Sequence, residues 1–253
     1  MAFLALDFDG VLCDSAAETA ISAWKCAYQL WPELLRREAP PESMLSAFLS
    51  VRPYLETGWQ SVLMLRMLLE NQPLSAFQND LQAHLQRLLQ ENKIDEGSLI
   101  KKFAESRDNW IRDDQQGWLD SHCFYPGTIV ALQQAMLRHE VCILTTKQSR
   151  FVSLLLQGQG IHFPEKKILG LEVKKSKECL LEKFIKNGAG RILFVEDRLE
   201  TLLRVQQCPQ LAQVSLYYAL WGYGTPADMR RTQEHESITC LELEQFKQML
   251  SEE

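Results

Sequence analysis

The feature that most constrains the fold is the alternation of short apolar runs with helical segments after Tyr125-Pro126-Gly127. Each apolar run has the length of a buried strand rather than that of a helix. The strand-like runs are 141–145, 168–171, 191–195 and 214–220, and helices are predicted at 148–157 and 176–186. Strands that alternate with helices pair in parallel, because a parallel neighbour requires a long crossover connection. The pattern predicts a parallel sheet with helices on both faces.

One more strand-like run, residues 2–9, lies at the start of the chain and ends in acidic residues. Residues 16–120 have a helical pattern, with leucines at helical spacing. Prolines divide this region into separate helices, because proline is not tolerated in a helix interior. We therefore predict an α/β fold, a doubly wound parallel-sheet core interrupted by an all-helical domain. The predicted core comprises residues 1–15 and 123–253, and the predicted insertion comprises residues 16–122.

Composition and charge argue against several classes of protein. The formal net charge of −6 disfavours broad electrostatic binding to nucleic acid or anionic lipid. No run of about 18 uncharged apolar residues occurs, and the first six residues lack the basic flank of a signal peptide. The seven cysteines are odd in number and have no metal-ligand or redox spacing. We expect a cytoplasmic protein with reduced thiols, monomeric or homodimeric, that binds neither nucleic acid nor membrane.

Ligands of doubly wound sheets bind beyond the carboxyl ends of the strands, which directs attention to the residues there. The first strand ends in Asp7 and Asp9, whose side chains point to one side of an extended chain. Two carboxylates so close repel unless a cation or a shared proton intervenes, which favours a Mg²⁺ site or an acid and nucleophile pair. Gly10 permits the sharp turn that follows. A plain Asp-Gly turn explains the isolated tripeptide equally well.

Three later strand ends carry residues suited to phosphate or metal. Thr145 and Thr146 can contact phosphate, although threonine is also an ordinary helix cap. A lysine, Lys177 or Lys174, can neutralise a phosphate oxygen, although a lysine cluster is often a solvated face. Glu196 and Asp197 are candidate metal ligands, although charged residues also occur simply because a buried strand ends there. Because the four sites occur in order, each after a predicted parallel strand, the functional interpretation is favoured over four independent coincidences.

These four segments resemble the motifs of the haloacid dehalogenase superfamily of phosphohydrolases. Residues 7–15, Asp-Phe-Asp-Gly-Val-Leu-Cys-Asp-Ser, resemble the first motif of its phosphoglycolate phosphatase and β-phosphoglucomutase relatives. Residues 144–147 resemble the second motif, Lys177 or Lys174 the third, and residues 195–197 the fourth. Tyr125-Pro126-Gly127 matches the family's return from the cap to the core. The resemblance implies a Rossmann-like core with a helical cap.

The chain departs from the family pattern in two places. Relatives usually have Gly-Asp where this chain has Glu196-Asp197, and another Asp at the position of Thr201. Glu196 or Glu200 could complete the metal site instead. The usual Lys-Pro signature is also absent, and we prefer Lys177 because it begins the predicted helix 177–186.

By resemblance, Asp7 attacks phosphorus to form an aspartyl phosphate, and Asp9 exchanges protons with the leaving group and with water. The resemblance assigns Mg²⁺ to Asp7, Asp197 and the carbonyl oxygen of Asp9. Thr145 and Lys177 hold the transferring oxygens. Thr146 and Gly10 are expected to contact the substrate.

The functional prediction is a Mg²⁺-dependent phosphatase for a small phosphorylated metabolite, such as phosphoglycolate or a sugar phosphate. The presence of an acid at position 9 favours a phosphatase over a dehalogenase, because a departing halide ion does not have to be protonated. Two alternatives remain: a β-phosphoglucomutase-like phosphomutase, and a non-catalytic phospholigand-binding regulator, which the altered fourth motif motivates. In the cap, Arg and Trp side chains could bind the leaving group, although packing is the favoured interpretation for them and for His122. The cap candidates are Arg52, Trp59, Arg107 and Trp110.

Overall fold

The computed structural model describes residues 2–251 of the 253-residue chain. It divides into two compact units, Met1–Asp14 with Cys123–Glu253, and Ser15–His122. We call these the core unit and the inserted unit. The predicted boundary after residue 15 falls one residue beyond the observed one.

The core unit contains a six-stranded sheet in which every neighbouring pair is parallel, in the order β5-β4-β1-β6-β7-β8. A separate antiparallel ladder joins β2 to β3. The strands are β1 (Phe3–Leu6), β2 (Cys13–Asp14), β3 (Cys123–Phe124), β4 (Glu140–Leu144), β5 (Ile168–Leu169), β6 (Ile192–Glu196), β7 (Val214–Ala219) and β8 (Ile238–Leu241). The predicted parallel α/β fold is confirmed.

Helices form the inserted unit and flank the sheet of the core unit. Those of the inserted unit are α1 (Ala16–Leu30), α2 (Glu42–Val51), α3 (Gln60–Leu69), α4 (Leu74–Gln78), α5 (Leu81–Glu91) and α6 (Glu96–Asp120). Those of the core unit are α7 (Thr128–Arg138), α8 (Ser149–Gly158), α9 (Lys177–Lys186), α10 (Leu199–Gln206), α11 (Pro226–Thr232) and α12 (Leu243–Ser251). Among the described residues, no helix combines the length and apolar character needed to cross a membrane.

The observed strands differ from the predicted ones at their ends. The first strand ends at Leu6 instead of residue 9, because the chain turns at Phe8, whose carbonyl oxygen accepts from the N–H groups of Leu12 and Cys13. β5 ends at Leu169, because a 3₁₀ turn begins at Leu171. β8 was not predicted. It lies at the sheet edge with Thr239 exposed, so it lacks the continuous apolar run of a central strand.

Burial follows the position of each strand in the sheet. All four residues of the central strand β1 are buried, and so are all five of its neighbour β6. Helices on both faces of a parallel sheet remove such strands from water on both sides. The register pairs Leu6 with Ile143 of β4 and with Val195 of β6. The carboxyl ends of these three strands therefore lie level with one another.

The inserted unit contains a buried ion pair between α1 and α6. Arg107 Nε and Nη2 each lie 2.7 Å from a carboxylate oxygen of Glu18, whose side chain is fully buried. Ser22 Oγ and Trp118 Nε1 donate to the same carboxylate. His122 faces it too, with Nε2 at 3.6 Å. The favoured packing interpretation of Arg107 and His122 agrees with these contacts.

Helix α6 is kinked between Arg107 and Trp118, the two residues whose side chains donate to Glu18. Asp114 has non-helical backbone angles, φ −155° and ψ 76°. Its carboxylate accepts a hydrogen bond from the N–H of Gly117 at 2.9 Å, as an N-cap residue does at a helix start. The helix is thus restarted at Asp114, and Trp118 lies in the restarted turn.

We predict that Arg107→Met lowers the free energy of unfolding by about 3–5 kcal/mol, because it leaves the buried Glu18 carboxylate without its countercharge. Urea-induced unfolding followed by tryptophan fluorescence measures the change. Lys101→Met is the matched control, since Lys101 forms a solvent-exposed pair with Glu105. Such a pair contributes about 0.5 kcal/mol or less. Equal midpoints for the two variants would contradict the prediction.

Candidate active site

Two acidic side chains stand side by side at the carboxyl ends of β1 and β6. Since Leu6 pairs with Val195, Asp7 is next to Glu196 in register. The N–H of Asp7 continues the ladder, donating to the carbonyl oxygen of Val195 at 2.9 Å. Residues side by side in register point to the same face of a sheet. The parallel pairing therefore brings two carboxylates together where the strands end.

Lys177 lies between these two carboxylates. Its Nζ is 2.5 Å from Asp7 Oδ1 and 2.7 Å from Glu196 Oε2. Lys177 is the first residue of α9, and the Ser176 side chain caps that helix by accepting from Cys179 N. Lys174, the alternative, is exposed and has a left-handed backbone with φ 52°. The geometry brings Lys177 to Asp7 and leaves Lys174 at the surface.

Asp7, Glu196 and Asp197 form a cluster in which one carboxylate oxygen from each lies within 4.8 Å of the others, and all three residues are buried. The side chain of Asp9 is outside this cluster, and its predicted contribution is a carbonyl oxygen. Glu200, the other acid that could compensate for Thr201, is exposed and pairs with Arg231 at 2.8 Å. Of the two alternatives, Glu196 is the residue that joins Asp7 and Asp197.

The charged groups of the cluster shift one another's ionisation. Desolvation by burial raises the pKa of the Asp7 carboxyl well above its ordinary value; Lys177 opposes the rise, and Glu196 and Asp197 add to it. Burial by itself lowers the pKa of Lys177, but attraction to Asp7 and Glu196 outweighs it, so the pKa is raised. Lys177 thus contacts two of the three acidic side chains of the cluster. Mg²⁺ prefers carboxylate oxygens, and the donor set fits that ion.

Asp9 lies outside the cluster and pairs with a different lysine, Lys147, which is buried. Lys147 Nζ is 3.3 Å from Asp9 Oδ1, and the Lys147 side chain is only 2% exposed. Thr145 fixes the backbone there, since its Oγ1 accepts from Lys147 N at 3.1 Å. Thr146 is exposed, and its part in substrate binding stays a prediction. The sequence interpretation assigned no role to Lys147, although it follows the two threonines directly at a strand end.

Gly10 allows Asp197 to come close to the first motif. Its φ is +91°, a conformation that residues with a side chain rarely adopt. A Cβ atom at this position would lie 2.6 Å from Asp197 Cγ and 2.9 Å from the Tyr223 ring. Gly10 was predicted to form a turn, and its predicted contact with substrate stays a prediction. The structure shows that Gly10 makes room for Asp197, a candidate metal ligand.

Tyr223, on the loop after β7, was missed by sequence reasoning. Its backbone N–H donates to Asp197 Oδ2 at 2.8 Å. The strand 214–220 was predicted, but no functional residue was predicted in the loop that follows it. Gly222 and Gly224 flank Tyr223 just beyond the carboxyl end of a parallel strand, which is the signal that could have drawn attention to it.

No protein-family model and no curated protein matches the sequence. Solved structures do match over nearly the whole chain. A "predicted phosphatase" from Clostridium acetobutylicum is 13% identical with a TM-score of 0.61, covering 98% of this chain and 97% of that one. A "predicted phosphoglycolate phosphatase" from Haemophilus somnus is 13% identical with a TM-score of 0.59 and the same coverage. A haloacid dehalogenase-like family hydrolase from Streptococcus pneumoniae is 12% identical with a TM-score of 0.55, covering 98% of each chain.

The chain has the haloacid dehalogenase-like fold. Within that fold, the four motif-like segments leave one end of one sheet. The first follows β1, the second follows β4, the third begins α9 and the fourth ends β6. At this level of identity the likeness shows the fold alone, so the chemistry has to be argued from the side chains of this chain.

We predict that Glu196→Gln weakens Mn²⁺ binding at least about tenfold, because it removes a charged oxygen from the buried cluster. Glu200→Gln makes the same chemical change at an exposed position outside the cluster and should leave the affinity within about twofold of wild type. Calorimetric titration of each variant with Mn²⁺ measures both. If both variants lost the same Mn²⁺ affinity, or if only Glu200→Gln lost affinity, Glu196 would not be a ligand as predicted.

We predict that Gly10→Ala also weakens Mn²⁺ binding by about tenfold, because a side chain there displaces Asp197. Gly160→Ala is the control, since Gly160 has a similar φ of +74° but open space around the added carbon. Both variants should lose about 1–3 kcal/mol of stability through backbone strain. Only Gly10→Ala should lose metal affinity, and a similar affinity in the two variants would contradict the displacement.

Proposed function

We propose that this chain is a Mg²⁺-dependent phosphatase that hydrolyses a small phosphorylated metabolite, of the phosphoglycolate or sugar phosphate type, through an aspartyl phosphate on Asp7. One observation carries the proposal. A buried carboxyl group, Asp7, lies in one cluster with two further acids and contacts Lys177, while Asp9 lies outside the cluster and pairs with Lys147. The arrangement separates a nucleophile from an acid–base group.

In the first step an Asp7 oxygen forms a bond to phosphorus, and the bond from phosphorus to the leaving oxygen breaks. Asp9 gives its proton to that oxygen. In the second step Asp9 takes a proton from water, whose oxygen attacks the aspartyl phosphate and releases Asp7. Proton transfer by a positioned group contributes about 10²- to 10⁴-fold to the rate.

Lys177 and Thr145 have donors left for phosphate. An ammonium group has three N–H donors, and the described contacts of Lys177 use two of them, on Asp7 and Glu196. Thr145 Oγ1 accepts from Lys147 N, which leaves its own proton to donate. These donors would hold phosphate oxygens as negative charge moves during transfer.

Asp7, Glu196 and Asp197 would hold Mg²⁺, with the carbonyl oxygen of Asp9 as a further ligand. When bound, the ion lowers the repulsion between an anionic nucleophile and an anionic phosphate. The structural neighbours whose names include phosphatase share this fold and support the reaction class. The part of the inserted unit in substrate recognition, including that of Arg52 and Trp59, stays a prediction.

We predict that Asp7→Asn lowers phosphate release from p-nitrophenyl phosphate at least about 10³-fold, because the amide is not a nucleophile. Chelation by EDTA should stop the wild-type reaction, and added Mg²⁺ should restore it. Asp113→Asn is the matched control, since Asp113 is 65% exposed and pairs with the adjacent Arg112. If Asp7→Asn were as active as wild type, the proposed mechanism would be wrong.

The same preparations distinguish the two alternatives. A phosphomutase would convert β-glucose 1-phosphate to glucose 6-phosphate instead of releasing phosphate. A binding protein would gain thermal stability from phosphorylated ligands without any turnover. Mg²⁺-dependent phosphate release that is lost in Asp7→Asn excludes the binding protein.

A further inference from the structure

The loop that follows β7, residues 220–225, packs against the first motif of the core unit. We call it the β7 exit loop. Trp221 Nε1 donates to the carbonyl oxygen of Val11 at 3.0 Å. The Trp221 ring packs on Phe246 of α12, with ring centroids 5.1 Å apart, and Phe246 is fully buried. Trp221 therefore anchors the loop both to the first motif and to the interior of the core unit.

Next to Trp221, the chain segments that contain Gly10, Asp197 and Gly222 lie close together. Neither glycine has room for a side chain. A Cβ atom at Gly222 would lie 2.5 Å from the carbonyl oxygen of Gly10 and would overlap the Asp197 side chain. Asp197 is thus enclosed between Gly10 on one side and Gly222 on the other. A small displacement of the β7 exit loop would move the Asp197 carboxylate.

Tyr223 makes three contacts from this position. Its backbone N–H donates to Asp197 Oδ2 at 2.8 Å. Its ring lies over Gly10, where an added Cβ would be 2.9 Å from Cδ2. Its phenol donates to Asp14 Oδ1 at 2.6 Å. A short hydrogen bond to a carboxylate is stronger than one between neutral groups, so the phenol is a firm attachment for the ring.

Asp14 is the residue at which the chain leaves the core unit. It is the last residue before the inserted unit, and it pairs with Cys123, the first residue after that unit. The Tyr223 phenol is therefore attached to the short ladder of β2 and β3, where both connections to the inserted unit begin. The backbone of the same residue is attached to a candidate metal ligand.

We propose that Tyr223 is a positioning residue that holds the Asp197 carboxylate in its metal-binding orientation through the anchor of its phenol on Asp14. This inference rests on the proposed function for its relevance to catalysis. The phenol bond keeps the ring over Gly10, and the ring position keeps the backbone N–H aimed at Asp197 Oδ2. In this proposal Tyr223 acts through Asp197 and takes no part in the bond changes at phosphorus.

The test uses Tyr223→Phe, which removes the phenol oxygen and keeps the ring and the backbone N–H. Mn²⁺ binding to the full chain is measured by calorimetry without substrate, and we expect the dissociation constant to rise about tenfold. In the activity assay, the Mg²⁺ concentration for half-maximal rate should rise by a similar factor. The rate at saturating Mg²⁺ should stay within about threefold of wild type, because no reacting group has changed.

Tyr217→Phe is the matched control. It makes the same change on β7, and the Tyr217 hydroxyl has no hydrogen-bond partner among residues 2–251. Its Mn²⁺ affinity should equal that of wild type. In an Asp14→Ala background, Tyr223→Phe should change the affinity by less than about twofold, because the shared bond is already absent.

The outcomes separate this inference from the proposed function. If Tyr223→Phe melts at a lower temperature than wild type but binds Mn²⁺ equally well, its role is structural only and the inference is wrong. If wild-type protein binds Mn²⁺ but releases no phosphate, the proposed function fails, and the Mn²⁺ affinities still decide the role of Tyr223. If wild-type protein binds no Mn²⁺, both are wrong.

Discussion

The burial of Asp7, Glu196 and Asp197 in one cluster is the constraint on which the rest of the candidate site depends. Carboxylates removed from water are costly unless countercharge or hydrogen bonds replace the lost hydration. Lys177 provides one positive charge, and backbone N–H groups provide further stabilisation, including that of Tyr223 to Asp197. The convergence of three carboxyl groups is the physical reason for expecting a divalent cation, because such ions prefer carboxylate oxygens.

The haloacid dehalogenase-like fold creates this cluster with ordinary sheet geometry. Parallel neighbours in register place the ends of β1, β4 and β6 level, so a residue just past each end reaches a common region. The strands themselves are apolar and buried, and the polar side chains begin where the ladder stops. In each segment, the buried strand residues stabilise the fold, and the residues at or just after the strand end provide the polar side chains of the candidate site. The β7 exit loop passes close to Asp197 at Gly222, and this contact completes the enclosure of Asp197.

Much of the fold could be predicted, because hydrophobic periodicity is a local property. Apolar runs alternating with helices indicated the parallel sheet and the helical insertion. The predictions were less accurate at strand ends and for β8, because an edge strand has little apolar character of its own. The turn at Phe8 depends on hydrogen bonds to Leu12 and Cys13, which no run of apolar residues reveals. The kink at Asp114 likewise depends on one side-chain hydrogen bond and not on helical periodicity.

By itself, the sequence determined which strand ends carry acids, hydroxyl groups and lysines, because composition and spacing along the chain are enough to show this. Only the tertiary structure shows that Lys177 contacts Asp7 while Lys174 is exposed, and that Glu196 joins Asp7 and Asp197 in one cluster while Glu200 is exposed. These placements depend on contacts between residues far apart in the chain, such as the 170 positions that separate Lys177 from Asp7. The same holds for Tyr223, whose phenol meets Asp14 across 209 positions. A contact of that span is set by the packing of whole strands and helices, and no local pattern encodes it.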